Sequence, residues 1–244
     1  MFDLKGKTAL VTGASSGLGR HFARTLARQG ATVILAARRV DMLEDLVAEI
    51  GGGASLRLDV ADPASIASAA ATLEKVDILV NNAGITREAP FLAMSEPDWN
   101  AVIDTNVKGM FLLTQQVAGC LRARGKSGSV INVASILGLR QAGGIASYVV
   151  SKAAVIQLTK VAALELARFN IRVNALAPGY IATDINADFF ASEPGKALIR
   201  RIPQRRLGQP GDLDGPLLLL ASDASAYMTG SVIAVDGGHL VSSL

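Results

Sequence analysis

The run Lys7–Thr12 is apolar at its centre and stops at Thr12-Gly13-Ala14-Ser15-Ser16-Gly17-Leu18-Gly19, after which an amphipathic stretch begins. A buried strand fed through glycines into a helix is the first half of a strand–helix–strand unit. The same succession recurs along the chain. Strands are expected at 7–12, 32–36, 55–58, 77–80, 129–134, 172–177 and 232–235. Helices are expected at 19–29, 41–50, 63–73, 104–124, 147–169 and 213–221. The strands are continuous apolar runs with no period-two alternation, so both of their faces are covered, as in a parallel sheet. Right-handed crossovers then favour an α/β fold, a doubly wound parallel sheet with helices on both faces, whose ligands sit beyond the carboxyl ends of the strands. Residues 1–244 are expected to form a single domain, and 178–210, punctuated by Pro178, Gly179, Pro194, Gly195, Pro203 and Pro210, is an irregular excursion from it.

Half of the residues are hydrophobic and 18% are charged, more apolar material than one core of this size needs. The surplus points to contacts between subunits. Net charge is +3, and the pairs Arg38-Arg39, Arg200-Arg201 and Arg205-Arg206 are too scattered to form a nucleic-acid stripe. Cys120 is the sole cysteine, which excludes an intrachain disulfide and suits a reducing compartment. The first residues lack a signal-peptide core, and Leu217–Ala221 is too short to cross a bilayer. A cytoplasmic protein is expected, with no membrane or nucleic-acid partner and no metal site.

The glycine turn lets the backbone approach a pyrophosphate, and the helix behind it offers free N–H groups to an anion. Its spacing is not GxGxxG, and the alternative is a tight turn without a ligand. After the second strand, where an acid would hold a ribose 2′-hydroxyl, the chain reads Leu35-Ala36-Ala37-Arg38-Arg39. Arg38 suits a 2′-phosphate, with Ser16 as an added donor, so NADP(H) is preferred and NAD(H) stays open. The alternative is that both arginines face solvent. Asp59-Val60 is placed to contact adenine, although Asp59 alternatively caps the next helix, for which Asp62 before Pro63 is the better candidate. Tyr148 and Lys152 fall one helical turn apart on one face. A phenol beside an ammonium has its pKa lowered towards neutrality, which makes it a proton donor or acceptor. Taken singly, Tyr148 also reads as a core-edge aromatic, Lys152 as an exposed charge and Ser135 as a loop hydroxyl.

Thr12–Gly19, Asn81-Asn82-Ala83-Gly84, Asn106, Ser135, Tyr148-x-x-x-Lys152, Pro178-Gly179 and Val235-Asp236-Gly237-Gly238 together resemble the short-chain dehydrogenases/reductases, over essentially the entire chain. The resemblance implies a Rossmann-type sheet and hydride transfer. Tyr148 is then the acid/base, Lys152 depresses its pKa and bonds the nicotinamide ribose, and Ser135 bonds the developing oxyanion. Asn106 is expected to hold a water linking Lys152 to solvent. Gly13, Ser15, Ser16, Gly17, Leu18, Gly19, Arg38, Arg39, Asp59, Val60, Asn82, Ala83 and Gly84 would bind cofactor, joined by Pro178, Gly179, Ile181 and Thr183 at the nicotinamide.

The stretch at about 180–205 resembles the family's substrate lid. Ile136, Leu137, Ala142, Tyr180, Phe189 and Phe190 are expected to line an apolar substrate pocket, the two phenylalanines alternatively anchoring the lid. No arginine stands obviously near for a small carboxylate, which favours a ketone, aldehyde or β-keto ester. Asn82–Glu88 resembles the 3-oxoacyl-carrier-protein reductases, whose carrier-docking cations are matched here by Lys126 but not by Phe169. The order of expectation is therefore an NADP(H)-dependent carbonyl reductase, then a 3-oxoacyl-thioester reductase, then an NAD-linked sugar or secondary alcohol dehydrogenase. A non-catalytic NADP-binding regulator is the alternative from another class. The family also implies a homotetramer pairing 104–124 with 147–169, with His239 to Leu244 making a second contact.

Overall fold

The computed structural model describes residues 2–183 and 187–242. Residues 184–186 of the expected lid and 243–244 of the expected tail contact lie outside them. The strands are β1 (Thr8–Thr12), β2 (Thr32–Ala37), β3 (Ala54–Arg57), β4 (Ile78–Asn81), β5 (Gly128–Val133), β6 (Ile171–Pro178) and β7 (Val232–Val235). They form one seven-stranded sheet in the order β3-β2-β1-β4-β5-β6-β7. Every pairing is parallel; Leu10, for example, is in register with Ile34 on one side and Leu79 on the other. The chain winds outward from β1 to β3 and then returns to place β4 beside β1, so the topological switch opens a crevice at the carboxyl ends of β1 and β4.

The continuous apolar strands divide their residues between two cores. Val11, Leu35 and Leu176 face a layer containing Phe22, Leu26, Leu43 and Leu217, whereas Leu10, Ile34 and Leu79 face Ile66, Leu113, Val117 and Leu121. Successive strand residues point to opposite faces, so both halves of each run are buried. On the first face lie α1 (Gly17–Arg28), α2 (Asp41–Glu49) and α10 (Asp214–Ala221). On the second lie α3 (Pro63–Ser68), α4 (Ala70–Leu73), α6 (Gly109–Ala123) and α7 (Ala146–Leu166).

Three elements differ from expectation. The expected helix 63–73 is broken at Ala69, whose backbone (ψ 0°) ends α3 before α4 begins. The long helix begins eight residues before 104, as α5 (Glu96–Ile103), and passes through a π-helical turn at Asp104–Lys108 before α6. Its start is set by Ser95, whose hydroxyl accepts from Asp98 N, with Pro97 in the first turn. The excursion after β6 contains α8 (Ala187–Ala191) and α9 (Glu193–Ile199) in place of one short helix. Asp62, not Asp59, caps α3, accepting from Ala64 N at 2.9 Å.

Among the described residues no helix is long and apolar enough to cross a membrane. Large apolar side chains stay exposed on α6 and α7, at Phe111, Val150, Val161 and Leu164, the last 82% accessible.

Candidate active site

A cleft of about 890 Å³ lies along the carboxyl edge of the sheet. Its floor is the glycine turn between β1 and α1. A Cβ on Gly19 would stand 2.3 Å from the Gly13 carbonyl oxygen, so only glycine lets α1 start this close to the strand end. Asn82 closes the other side: its Nδ2 donates to Thr12 O (2.9 Å), while the Asn82 and Ala83 amides donate to Thr12 Oγ1 (both 3.0 Å). Ser16, at the N-cap of α1, makes no side-chain capping bond, and the first turn carries no acid. The first-turn N–H groups are thus left for an external anion.

Both arginines after β2 line the cleft, but they do different things. Arg39 Nη2 donates to Ser15 Oγ (3.0 Å) and Ser16 Oγ (3.4 Å), folding its guanidinium against the glycine turn. Arg38 is exposed at the same end. Of the two, Arg39 is the cation tied to the serines of the glycine turn. Leu58, Asp59 and Val60 line the far wall. Pro178, Gly179, Ile181 and Thr183 line the opposite end, where Ile181 is tied to Gly208 by an isolated bridge. Gly19 itself is buried and shapes the turn without lining the cleft.

Ser135 leaves β5 at the cleft, its Oγ accepting from Leu137 N (3.1 Å). Tyr148 and Lys152 come in from the first turns of α7 and line the same cleft. Lys152 is 4% accessible, and its Nζ donates to Val133 O at 2.7 Å. The nitrogen stands 5.5 Å from the centre of the Tyr148 ring. Burial pulls the lysine pKa down to about 8. The Tyr148 phenol moves the opposite way from expectation: burial raises its pKa, a hydrogen bond with Ser135 works against the rise, and Tyr180 adds to it. Desolvation of the phenolate outweighs the Ser135 hydrogen bond.

Asn106 ties two elements of the site together. It lies in the π turn, fully buried, with both hydrogens of its amide nitrogen bonded. Oδ1 accepts from Ile85 N (2.8 Å), and Nδ2 donates to Ile85 O (2.9 Å) and Ser151 Oγ (2.9 Å). The side chain clamps the loop after β4 onto α7.

The expected apolar pocket is corrected most. Of its six residues only Tyr180 lines the cleft. Ile136 (1% accessible) and Leu137 (8%) are buried, and Ala142 does not reach the cleft. Phe190 is buried edge-on against Tyr180 (5.8 Å between ring centres), with exposed Phe189 packed on it at 5.1 Å, so the pair anchors the segment. The wall is instead Thr86, Arg87, Glu88 and Ile145. Arg87, half exposed, stands 3.4 Å from Asp98. The loop is drawn over the cleft by the Ala89 amide, which donates to Gly144 O (2.9 Å). This is a contact between two loops distant in sequence, and the only linear hint of it is that Arg87 follows Asn81–Gly84 closely. Among the described residues no group of histidine, cysteine and carboxylate side chains could hold a metal.

A parallel sheet with a glycine turn at its switch point and a Ser135–Tyr148–Lys152 group beside it defines a dinucleotide-dependent oxidoreductase. A family profile described as enoyl-(acyl carrier protein) reductase matches residues 13–239. The 3-oxoacyl-[acyl-carrier-protein] reductase FabG of Thermotoga maritima is 41% identical, over 98% of this chain and 99% of that protein. The 2-dehydro-3-deoxy-D-gluconate 5-dehydrogenase of Dickeya dadantii is also 41% identical, covering 98% and 97%. Among solved structures, a gluconate 5-dehydrogenase from Burkholderia cenocepacia in complex with NADP and tartrate superposes with a TM-score of 0.93 at 37% identity, over 99% of this chain and 98% of that one. The chain belongs to the short-chain dehydrogenase/reductase family.

Proposed function

We propose that this protein is an NADP(H)-dependent oxidoreductase that interconverts a ketone and a secondary alcohol on a small hydroxylated carboxylate of the sugar-acid type. The observation that carries the reading is Arg87, whose half-exposed guanidinium, with Thr86 and Glu88, gives the cleft of Ser135 and Tyr148 a polar wall. A guanidinium fits a carboxylate, and the hydroxyl and carboxylate beside it fit substrate hydroxyls. This reverses the expectation of an uncharged carbonyl compound. The gluconate dehydrogenase likeness supports it, as does the bound tartrate of that relative, a hydroxylated dicarboxylate.

The cleft suits NADP(H) by its chemistry. Arg39 with Ser15 and Ser16, joined by exposed Arg38, would hold the 2′-phosphate; the N-terminus of α1 would hold the pyrophosphate; and Asp59 and Val60 would meet the adenine. Lys152 would bond the nicotinamide ribose. When bound, the reduced cofactor supplies the hydride. Tyr148 gives its proton to the substrate oxygen, and Ser135 donates a hydrogen bond to the same oxygen as charge develops on it. A phenol whose pKa is raised by burial is protonated at neutral pH, the state that carbonyl reduction requires.

A 3-oxoacyl-thioester reductase is the second reading. It is favoured by Phe91 and Leu92, 79% and 99% accessible, which follow Arg87 in the same loop and offer an acyl chain an apolar landing. Initial rates with NADPH and NADH on a keto-gluconate, acetoacetyl-CoA and a neutral cyclic ketone separate the readings. Arg87→Ala is expected to raise KM for the keto-gluconate about 10-fold or more, the loss of one charge-assisted bond, with kcat little changed. An equal effect on the neutral ketone, or a clear preference for the thioester, would sink the sugar-acid reading.

A further inference from the structure

Ser151 precedes Lys152 on α7 and is wholly inaccessible. Its hydroxyl makes two bonds: it accepts from Asn106 Nδ2 at 2.9 Å and donates to the Tyr148 carbonyl oxygen at 2.7 Å. A serine bonding the carbonyl one turn back is ordinary in helices. The second bond is not, because it joins the helix to another element. The direction of the chain is forced. Asn106 Oδ1 faces the Ile85 N–H, so the amide nitrogen must face both Ile85 O and Ser151. A serine hydroxyl has one hydrogen; having accepted from Asn106, it spends that hydrogen on Tyr148. Every donor hydrogen of the two side chains is used, so the direction of the series is set.

We propose that Ser151 is a positioning residue of the reaction, the bolt through which Asn106 and the loop after β4 fix the first turns of α7 and so the spacing of Tyr148 and Lys152. Gly84 shows how tightly these parts close on one another: a Cβ there would stand 3.3 Å from Asn106 Oδ1 and 3.7 Å from Lys152 Nζ. Without the hydroxyl, an amide hydrogen of Asn106 faces nothing in a site closed to water, and the π turn and α7 relax apart. The proposal rests on the catalytic reading of Tyr148 given above.

The test compares Ser151→Ala, Ser151→Val and Ser151→Thr, the last two alike in shape and different in the hydroxyl. Rates are measured with NADPH and whichever of the keto-gluconate, acetoacetyl-CoA or neutral ketone the unaltered enzyme reduces. NADP⁺ affinity and melting temperature are measured alongside. Ser151→Ala and Ser151→Val are expected to lose roughly 10- to 100-fold in kcat, as small misplacements of reacting groups do. KM and NADP⁺ affinity should hold within about twofold, because the groups that bind substrate and cofactor are left in place. Ser151→Thr should restore most of the loss. In an Asn106→Ala background, Ser151→Ala should cost little more, since the two residues act as one unit. The rise of alcohol oxidation with pH should move to higher pH in Ser151→Ala, as Tyr148 drifts from the Ser135 hydroxyl whose hydrogen bond works against its raised pKa.

Unchanged kcat and pH dependence in Ser151→Ala or Ser151→Val overturns the proposal. So does a full multiplicative loss in the Asn106→Ala background, or a lowered melting temperature alone. Should both variants fail to fold, Ser151→Cys, with its weak donor, takes their place against Ser151→Thr and is expected to show the same loss of kcat. Tyr148→Phe serves as the control. If it stays active the catalytic reading itself fails, whereas an inactive Tyr148→Phe beside an unaffected Ser151→Ala sinks only the role of Ser151.

Discussion

Lys152 and Tyr148 sit one turn apart, as their spacing requires, yet their electrostatics were not legible in that spacing. Sequence reading pairs the ammonium with the phenol. In the folded chain the ammonium donates to Val133 O, and desolvation governs the phenol. The pH dependence follows with a definite sign. Carbonyl reduction needs the protonated phenol, so its rate holds through neutral pH and falls as pH rises through the elevated Tyr148 pKa. Alcohol oxidation needs the phenolate and rises over the same alkaline range. Rate profiles in both directions check this; a reduction rate already falling at mildly acidic pH would contradict it. Arg87 was missed for a different reason: its exposure and its loop say nothing about the cleft until the Ala89–Gly144 contact folds that loop across.

At the scale of elements, the alternation of strand and helix was readable throughout, because solid apolar runs and glycine stops are local signals. What escaped were features decided by packing. The π turn that directs Asn106 inward looks like unbroken helix in sequence, and the Ser95-Glu96-Pro97-Asp98 cap, though written plainly, lies before the helix expected from 104. The glycine turn was placed correctly, but its reason is steric contact as much as phosphate binding. Gly19→Ala tests this. Its Cβ would overlap the Gly13 carbonyl, so the strand end and α1 must separate. The expected result is loss of NADP⁺ binding by 10-fold or more on the order of a lost anion site, together with about 1–3 kcal/mol of stability as for other overpacked sites. Calorimetric titration and chemical denaturation read the two effects. Unchanged affinity would mean that the turn is not the phosphate site.

At the scale of the molecule, the apolar surplus evident in composition is found on α6 and α7. Phe111, Val150, Val161 and Leu164 are exposed there while the cores on both sheet faces are filled. We infer that these helices pair with those of a second copy and that the protein assembles as a homotetramer. Light scattering coupled to size exclusion should give four times the chain mass of 25.3 kDa. A monomer would leave this apolar face without an explanation. The sheet order, the switch-point crevice and the loops that meet there all place Tyr148 in the cleft. The most direct measurement is therefore turnover and cofactor binding by Tyr148→Phe. Removing a positioned proton donor costs about 10²–10⁴ in rate, so NADPH should bind as it does to the unaltered protein while reduction nearly stops. Near-normal turnover in that variant would contradict the assignment of Tyr148, and with it the reading of the cleft.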